Sequence, residues 1–233
     1  MRIGCVPYGH ARPFARAWVG RQVVLDHPRA LVESLRADRL DLALVPVWEV
    51  LTRPGYRLLA EFAVGSRGEV RSVGVFHDRP LSACSGIRLT PHSITSVQLW
   101  KILSRGPLRA PLPEDPSGDA RLLIGDEALG EWNRRRGSGV TDLGREWTGW
   151  TGLPFVYAVW AVRPGFRPDS TGLANLREAW HAGVADRSAL ARDAGEREYL
   201  TSCIRYGLGE EEILGIREFA ARSGLPAPRL DFI

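Results

Sequence analysis

Short apolar runs alternate with amphipathic segments along this chain, and prolines follow two of the runs directly. Residues 2–6 are followed by Pro7, and residues 40–45, which are almost continuously apolar, are followed by Pro46. Proline lacks the N–H that a sheet ladder needs and fixes φ, so the chain must leave the sheet there. A nearly continuous apolar run is typical of a strand buried on both faces, as in a parallel sheet. Strands that alternate with helices predict an α/β fold.

The alternation continues to a long apolar strand over residues 155–162, and a helical tail follows from about residue 171 to about residue 223. A chain of 233 residues is long enough for one large or two small cores. The pattern suits a two-lobed hinge protein. We predict lobe I from residues 1–76 and 163–233, lobe II from residues 77–162, and a substrate cleft between the lobes.

Composition and charge exclude several classes of protein. Hydrophobic residues make up 44% and charged residues 25%, which is ordinary for a globular protein, and no apolar run is long enough to cross a membrane. The N-terminus has no apolar core of a signal peptide, so we expect a cytoplasmic location without membrane association. The net charge is +4, and the basic residues are spread among 27 acidic ones, so we expect no nucleic-acid partner. The sequence carries no signal for an oligomeric state.

The cysteines and the standard motifs point away from metal and cofactor chemistry. The three cysteines, Cys5, Cys84 and Cys203, are far apart in sequence, so we expect buried free thiols and neither a metal site nor a disulfide framework. The P-loop, G-x-G-x-x-G, G-x-S-x-G and H-E-x-x-H patterns are all absent. We therefore expect no cofactor.

Two groups of polar residues lie where ligands bind in α/β proteins. His10 follows the first strand, at the sheet edge where open α/β sheets place ligands, and it is either a base or hydrogen-bond donor or a loop residue that caps a helix. Ser93, Thr95 and Ser96 precede an apolar helix. Hydroxyls and free backbone N–H groups at such an end suit a carboxylate, although plain capping needs only one of the three.

Three further candidates rest on weaker local patterns. Ser66 and Ser72 flank a loop with glycines at positions 65 and 68, where backbone N–H groups are accessible. Asp126 follows a strand and is predicted to cap the next helix, with a contact to a substrate hydroxyl as the alternative.

Several stretches, in order along the chain, resemble one enzyme family. Residues 142–161 closely resemble the D-L-G-x-x-W-x-x-W-T-G-L-P-F-V-[FY]-A-x-W-A signature of the chorismate dehydratases of the futalosine route to menaquinone. Residues 93–97 are similar to that family's S-x-T-S-V, and residues 123–129 to its L-I-G-D-x-A-L. Residues 68–73 resemble its G-P-V-x-S-V, and residues 8–14 its [YF]-L-N-x-x-P-L. The first match is highly specific, whereas each short match is weak by itself.

The resemblance implies a type II periplasmic-binding-protein-like fold and the removal of water from the small-molecule substrate chorismate, without a cofactor. Ser72 aligns with a family active-site serine, and Thr95 and Ser96 align with carboxylate-binding positions. Asp126 aligns with a cleft residue. Tyr8 and Tyr157 lie within matched stretches. The predicted site therefore has His10 and Ser72 as catalytic residues, and its remaining members bind the substrate: Tyr8, Ser66, Ser93, Thr95, Ser96, Asp126 and Tyr157.

His10 is the main departure from the family pattern, because the family usually has Asn at this position. Asn cannot act as a base, so the family can use the substrate's own enolpyruvyl carboxylate instead. His10 either preserves a hydrogen bond, supplies a base directly, or marks a changed specificity. Two other functions remain open. One is the related enzyme that forms 1,4-dihydroxy-6-naphthoate, whose characteristic first loop is absent here, and the other is a carboxylate-binding sensor of the same fold.

Overall fold

The computed structural model of the protein describes residues 1–18 and 20–233. Within them the chain forms two β-sheets flanked by helices. The strands are β1 (Ile3–Cys5), β2 (Val23–Leu25), β3 (Leu42–Pro46), β4 (Arg57–Ser66), β5 (Val73–Phe76), β6 (Ile87–Arg88), β7 (Ala120–Ile124), β8 (Val140–Asp142), β9 (Phe155–Val162) and β10 (Asp231–Phe232). The helices are α1 (Pro28–Arg36), α2 (Val47–Thr52), α3 (Ile94–Arg105), α4 (Gly125–Arg135), α5 (Leu143–Thr151), α6 (Ser170–Ala185), α7 (Ala194–Glu198) and α8 (Glu210–Arg222).

The larger sheet has six strands in the order β10-β4-β9-β3-β1-β2. Strand β1 pairs in parallel with β2 and β3, as the alternation of strands and helices predicts. Strand β9 lies antiparallel between β3 and β4 and crosses the middle of the sheet. A 3-10 helix, Gly9–Trp18, follows β1. Behind this sheet the buried rings of Phe14, Trp160 and Trp180 pack together, with 4.3 Å between the stacked tryptophan centroids.

The smaller sheet has four strands in the order β6-β7-β5-β8. Strand β5 runs antiparallel to both of its neighbours, and β6 pairs in parallel with β7. We call residues 1–66 and 155–233 the large lobe and residues 73–151 the small lobe. The chain crosses between them at residues 67–72 and 152–154.

The sheet membership of two strands differs from the predicted division. Val73–Phe76 belongs to the smaller sheet and not to lobe I, because it pairs with β7 and β8. Phe155–Val162 belongs to the larger sheet and not to lobe II, because it pairs with β3 and β4. An apolar run predicts that a strand is buried, but the partner that buries it is set by contacts distant in sequence.

Local sequence signals account for the starts of some helices. Ser93 caps α3, since its Oγ accepts a hydrogen bond from the Ser96 N–H at 3.2 Å. Pro28 is the first residue of α1, where the fixed φ of proline suits a helix start, and His27 is its N-cap. The predicted cap at Asp126 is wrong: α4 begins one residue earlier, so Asp126 stands in its first turn and its carboxylate contacts another loop.

The three cysteines are free and buried, which confirms the expectation from their spacing. Within residues 1–18 and 20–233, no helix is long and apolar enough to cross a membrane.

Candidate active site

A cavity lies between the two lobes, and its empty space, including the part open to solvent, is about 560 Å³. Apolar side chains supply much of the wall, among them Val6, Leu44, Val64, Val70, Ile124 and Ile204. Polar side chains from both lobes and from the crossing also face it, namely Tyr8, His10, Ser72, Ser93, Ser96 and Tyr157. The structure thus brings six of the nine predicted site residues to one cavity.

His10 enters the cavity from the start of the 3-10 helix. Its backbone carbonyl accepts a hydrogen bond from the Tyr206 hydroxyl at 2.9 Å, and its ring lies 5.6 Å from the ring of Tyr8, centroid to centroid. Desolvation lowers the pKa of His10 to about 4, although the negative charge of Asp126 acts in the opposite direction. At neutral pH the imidazole is therefore uncharged and able to accept a proton.

Ser72 stands at the end of the crossing that leads into β5. Its Oγ accepts a hydrogen bond of 2.8 Å from the hydroxyl of Tyr199, a fully buried residue of the C-terminal segment. Its carbonyl accepts one from the Gly125 N–H, also at 2.8 Å. The serine is therefore fixed at the cavity wall through both its backbone and its side chain.

Asp142 holds the crossing that carries Ser72. This buried carboxylate accepts hydrogen bonds from the backbone N–H groups of Val70, Arg71 and Arg145, with the shortest, from Arg71, at 2.7 Å. Burial raises the pKa of Asp142, and the three N–H donors act against that shift. Sequence reasoning placed Asp142 only as the first residue of the family signature, although its position directly before an apolar helix is an N-cap signal.

The N-terminus of α3 lies at one edge of the cavity. Ser93 and Ser96 share a hydrogen bond of 2.9 Å between their hydroxyl oxygens, and both face the cavity. The first turn of α3 holds no acidic residue, so nothing within the helix offsets its positive dipole end. Its unpaired N–H groups and two hydroxyls suit a carboxylate.

Tyr157 and Ser66 form a partly buried pair at the cavity, with 3.2 Å between their hydroxyl oxygens. Burial raises the pKa of the Tyr157 hydroxyl well above its ordinary value, which keeps it protonated. A Cβ at Gly144 would stand 2.6 Å from Ser66 Oγ and 2.9 Å from the Tyr157 hydroxyl, so only glycine allows α5 to approach this pair. Tyr157 faces the cavity, whereas Ser66 is completely buried and does not line it.

Thr95 and Asp126 lie outside the cavity wall and link the lobes. The Thr95 hydroxyl accepts a hydrogen bond from the Trp48 N–H at 3.1 Å, and Asp126 Oδ1 accepts one from the Gly9 N–H at 3.0 Å. In each pair the donor belongs to the large lobe and the acceptor to the small lobe. A substrate contact for either residue stays a prediction.

Tyr8 connects the cavity to its rim. Its hydroxyl lies 3.1 Å from His27 Nδ1, and the His27 ring stacks on that of His92 at 4.6 Å. Burial raises the pKa of Tyr8, and the charge of Asp126 adds to that shift. The described residues hold no group of three or more His, Cys, Asp or Glu side chains that is placed to bind a metal ion.

Comparisons with known proteins identify the family of the chain. Residues 1–224 match the family model for menaquinone biosynthesis. The chain belongs to this family. One curated relative is the chorismate dehydratase of Thermus thermophilus, which is 31% identical over 89% of this chain and 88% of its own length.

Solved structures show the fold alone, because their sequence identities are low. A protein from Archaeoglobus fulgidus superposes with a TM-score of 0.66 at 15% identity, covering 96% of each chain. A protein from Candida albicans described as having the generic periplasmic binding protein fold gives 0.63 at 10% identity, covering 98% of this chain and 91% of its own. The aliphatic sulphonate binding protein of Escherichia coli gives 0.54 at 12% identity, covering 99% and 92%. The family member described here therefore has the predicted two-lobed periplasmic-binding-protein-like fold.

Proposed function

We propose that this chain is a chorismate dehydratase, which converts chorismate to 3-[(1-carboxyvinyl)oxy]benzoate and water. The observation that carries the proposal is one cavity lined by an imidazole, a fixed serine hydroxyl and a hydroxyl-bearing helix N-terminus. The curated relative named chorismate dehydratase supports the choice of substrate. We also propose that the enzyme works in the cytoplasm, which fractionation of the source cells would test.

The substrate carries two carboxylates, which need compensation when they leave water. Among the described residues that line the cavity there is no Lys or Arg side chain. We assign one carboxylate to the N-terminus of α3, where Ser93 and Ser96 add hydroxyl donors to the free N–H groups. Binding through helix N–H groups and hydroxyls keeps cationic side chains away from the base, so no nearby positive charge lowers the pKa of the imidazole further.

The proposed reaction needs one proton acceptor and one departing oxygen. A base removes a ring proton, the electron pair of that C–H bond completes the aromatic ring, and the C–O bond to the ring hydroxyl breaks. The departing hydroxide takes a proton and leaves as water, so atoms and charge balance. We assign the base to His10, because its imidazole is uncharged at neutral pH. The imidazolium that forms then returns the proton to the departing oxygen.

Ser72 is proposed to donate a hydrogen bond to the departing oxygen. A fixed donor that points to where negative charge develops lowers the barrier more than it stabilises the bound substrate. Apolar side chains that line the cavity shield part of the ring from water and strengthen this hydrogen bond. Formation of an aromatic ring supplies the driving force, so positioning is the main task of the protein.

The direct test is to mix purified protein with chorismate, without added metal or nucleotide. We expect the diene absorbance of chorismate to fall and one equivalent of 3-[(1-carboxyvinyl)oxy]benzoate to form, identified by liquid chromatography and mass spectrometry. Heat-denatured protein is the control for the spontaneous decay of chorismate. Binding without turnover would point to a sensor of the same fold, and no effect on chorismate would overturn the proposal.

A further inference from the structure

Tyr199 connects the C-terminal segment to the serine of the proposed active site. Its hydroxyl donates a hydrogen bond of 2.8 Å to Ser72 Oγ, although the two residues are 127 positions apart. Both are buried, with Tyr199 1% exposed and Ser72 3% exposed. Ser72 faces the cavity, whereas Tyr199 lies behind it and does not line the cavity. Tyr199 therefore reaches the site only through the serine.

An irregular turn delivers Tyr199 to this position. Helix α7 passes directly into a π-helical turn, Tyr199–Cys203, and such turns are frequent at functional sites. The segment after it is attached to β4 by two hydrogen bonds between Gly65 and Arg205, of 2.9 Å and 2.8 Å. The phenol is thus held on the large lobe, and it reaches the end of the crossing to the small lobe.

The direction of this hydrogen bond decides what the serine can do. A hydroxyl has one proton and two lone pairs, so a serine that accepts from Tyr199 keeps its own proton for another partner. In the described part of the chain, Ser72 Oγ has no other hydrogen-bond partner. Its O–H is therefore available to a molecule in the cavity.

Tyr199 itself is not suited to passing a proton on. Burial raises the pKa of its hydroxyl and outweighs the opposing effect of the hydrogen bond with Ser72, while the charges of Asp126 and Glu196 add to the rise, so the phenolate is disfavoured. The hydrogen bond thus orients the serine without exchanging its proton.

We propose that Tyr199 is a positioning residue of the dehydration, which makes Ser72 a hydrogen-bond donor to the departing oxygen. The inference rests on the proposed function, because it assigns a role in that same reaction. Its test must therefore distinguish the effect of losing the Tyr199–Ser72 hydrogen bond from an absence of chorismate dehydratase activity.

The experiment is a double-mutant cycle on chorismate turnover with wild type, Tyr199→Phe, Ser72→Ala and the double variant. We expect Tyr199→Phe to lower kcat about tenfold and to leave KM within about twofold, since a misdirected donor affects the transition state more than the bound substrate. Ser72→Ala should lower kcat by at least the same factor. In the Ser72→Ala background, Tyr199→Phe should cause no further loss.

Tyr56→Phe is the matched control. Tyr56 is also buried, and its hydroxyl donates a 2.8 Å hydrogen bond to Glu49 Oε1 away from the cavity. Its removal should lower the melting temperature as much as the removal of the Tyr199 hydroxyl does, with kcat unchanged. A drop in stability alone is thus distinguished from a drop in rate.

Each outcome decides one question. A wild type without turnover overturns the proposed function and this inference with it. An active wild type with unchanged kcat in Tyr199→Phe, or an equal loss on both serine backgrounds, overturns the inference alone. If Tyr199→Phe does not fold, the double variant can replace it, because it removes both hydroxyls of the pair and so leaves no buried hydroxyl unpaired. Its kcat relative to Ser72→Ala then decides: equality supports the inference and a further tenfold loss overturns it.

Discussion

The backbone N–H of Gly9 donates a hydrogen bond of 3.0 Å to the carboxylate of Asp126 and so joins the two lobes at the cleft. Gly9 belongs to the loop after β1, and Asp126 to the first turn of α4. A second bond of this kind, from the Trp48 N–H to the Thr95 hydroxyl, connects α2 to α3. Two side chains that were predicted to bind substrate thus hold the lobes together around the cavity.

Replacing Asp126 with Ala should weaken substrate binding more than it slows turnover. The variant loses a bond between the lobes, so the closed form that holds substrate becomes less populated. We expect KM for chorismate to rise about three- to tenfold, which corresponds to about 1 kcal/mol for an exposed charge-assisted hydrogen bond. Steady-state kinetics of the purified variant measure the change.

Glu127→Ala is the matched control for Asp126→Ala. Glu127 stands in the same first turn and is also exposed, so both changes remove a favourable interaction with the dipole of α4. Only Asp126 reaches the other lobe. Equal KM values for the two variants would show that the bond to Gly9 has no part in binding.

Replacing Gly9 with Ala should destabilise the protein. The new Cβ would stand 2.8 Å from Glu196 Oε1. Glu196 cannot retreat easily, because Arg12 Nη1 donates to its other oxygen at 2.6 Å and Arg192 holds the same carboxylate. We expect the free energy of unfolding to fall by about 1–3 kcal/mol, as for other overpacked sites, seen as a lower urea midpoint.

Gly130→Ala separates this steric effect from a general intolerance of alanine. A Cβ at Gly130 meets nothing within 4 Å, and the residue lies inside α4. Alanine is favoured over glycine in a helix interior by roughly 0.5–1 kcal/mol, so this variant should be at least as stable as wild type. If Gly9→Ala were also at least as stable as wild type, the close contact between the new Cβ and Glu196 would not destabilise the protein.

Local sequence patterns, together with the family resemblance, predicted much of the fold and the polar side chains of the cavity wall. Proline after an apolar run, Pro28 at a helix start and a serine before an apolar helix are short-range signals, and the structure has a strand or helix end at each of them. His10, Ser72, Ser93 and Ser96 reach one cavity because each lies at the end of a strand or helix. The fold brings these ends together, so the proximity of the four side chains can be predicted without knowing any distance.

Long-range contacts could not be predicted in the same way. Residues 155–162 would be apolar in either sheet, and only their pairing with β3 and β4 decides which sheet they join. Asp is a residue type that often caps helices, but the carboxylate of Asp126 accepts a hydrogen bond from a loop of the other lobe. Tyr199 lies in a helical tail without a local motif, and only the folded chain brings its hydroxyl to Ser72.

The half-buried imidazole of His10 predicts a pH dependence of stability. Its pKa is lowered to about 4 from the ordinary 6.5 by desolvation. Between pH 4 and pH 6.5 the His10 side chain is protonated in the unfolded chain but not in the folded protein. The free energy of unfolding therefore rises with pH over this range, and this part of the stability is lost on acidification. His10→Asn should remove this part of the dependence. We expect wild type to lose about 2 kcal/mol more than the variant between pH 7 and pH 5, measured by urea unfolding.

The same variant tests the proposed base. Asn preserves a hydrogen-bonding side chain but cannot accept the proton, so His10→Asn should lower kcat at least about tenfold, as expected for loss of a general base. His181→Asn is the control, because His181 pairs with Glu61 on the surface, outside the cavity. Turnover of His10→Asn at the wild-type rate would instead assign the base to the substrate's own carboxylate.

Binding of a carboxylate at the N-terminus of α3 predicts a difference between two serines of that helix. Ser96 faces the cavity with its hydroxyl bonded to that of Ser93, whereas the Ser104 hydroxyl donates to the Lys101 carbonyl away from the cavity. Both side chains are buried, so a general cost of removing a buried hydroxyl is common to Ser96→Ala and Ser104→Ala. Only Ser96→Ala also removes a donor to the substrate. We expect its KM for chorismate to rise about tenfold, equivalent to about 1.4 kcal/mol, with kcat changed less than threefold. Ser104→Ala should keep the wild-type KM, and a KM shared by both variants would move the carboxylate away from this helix end.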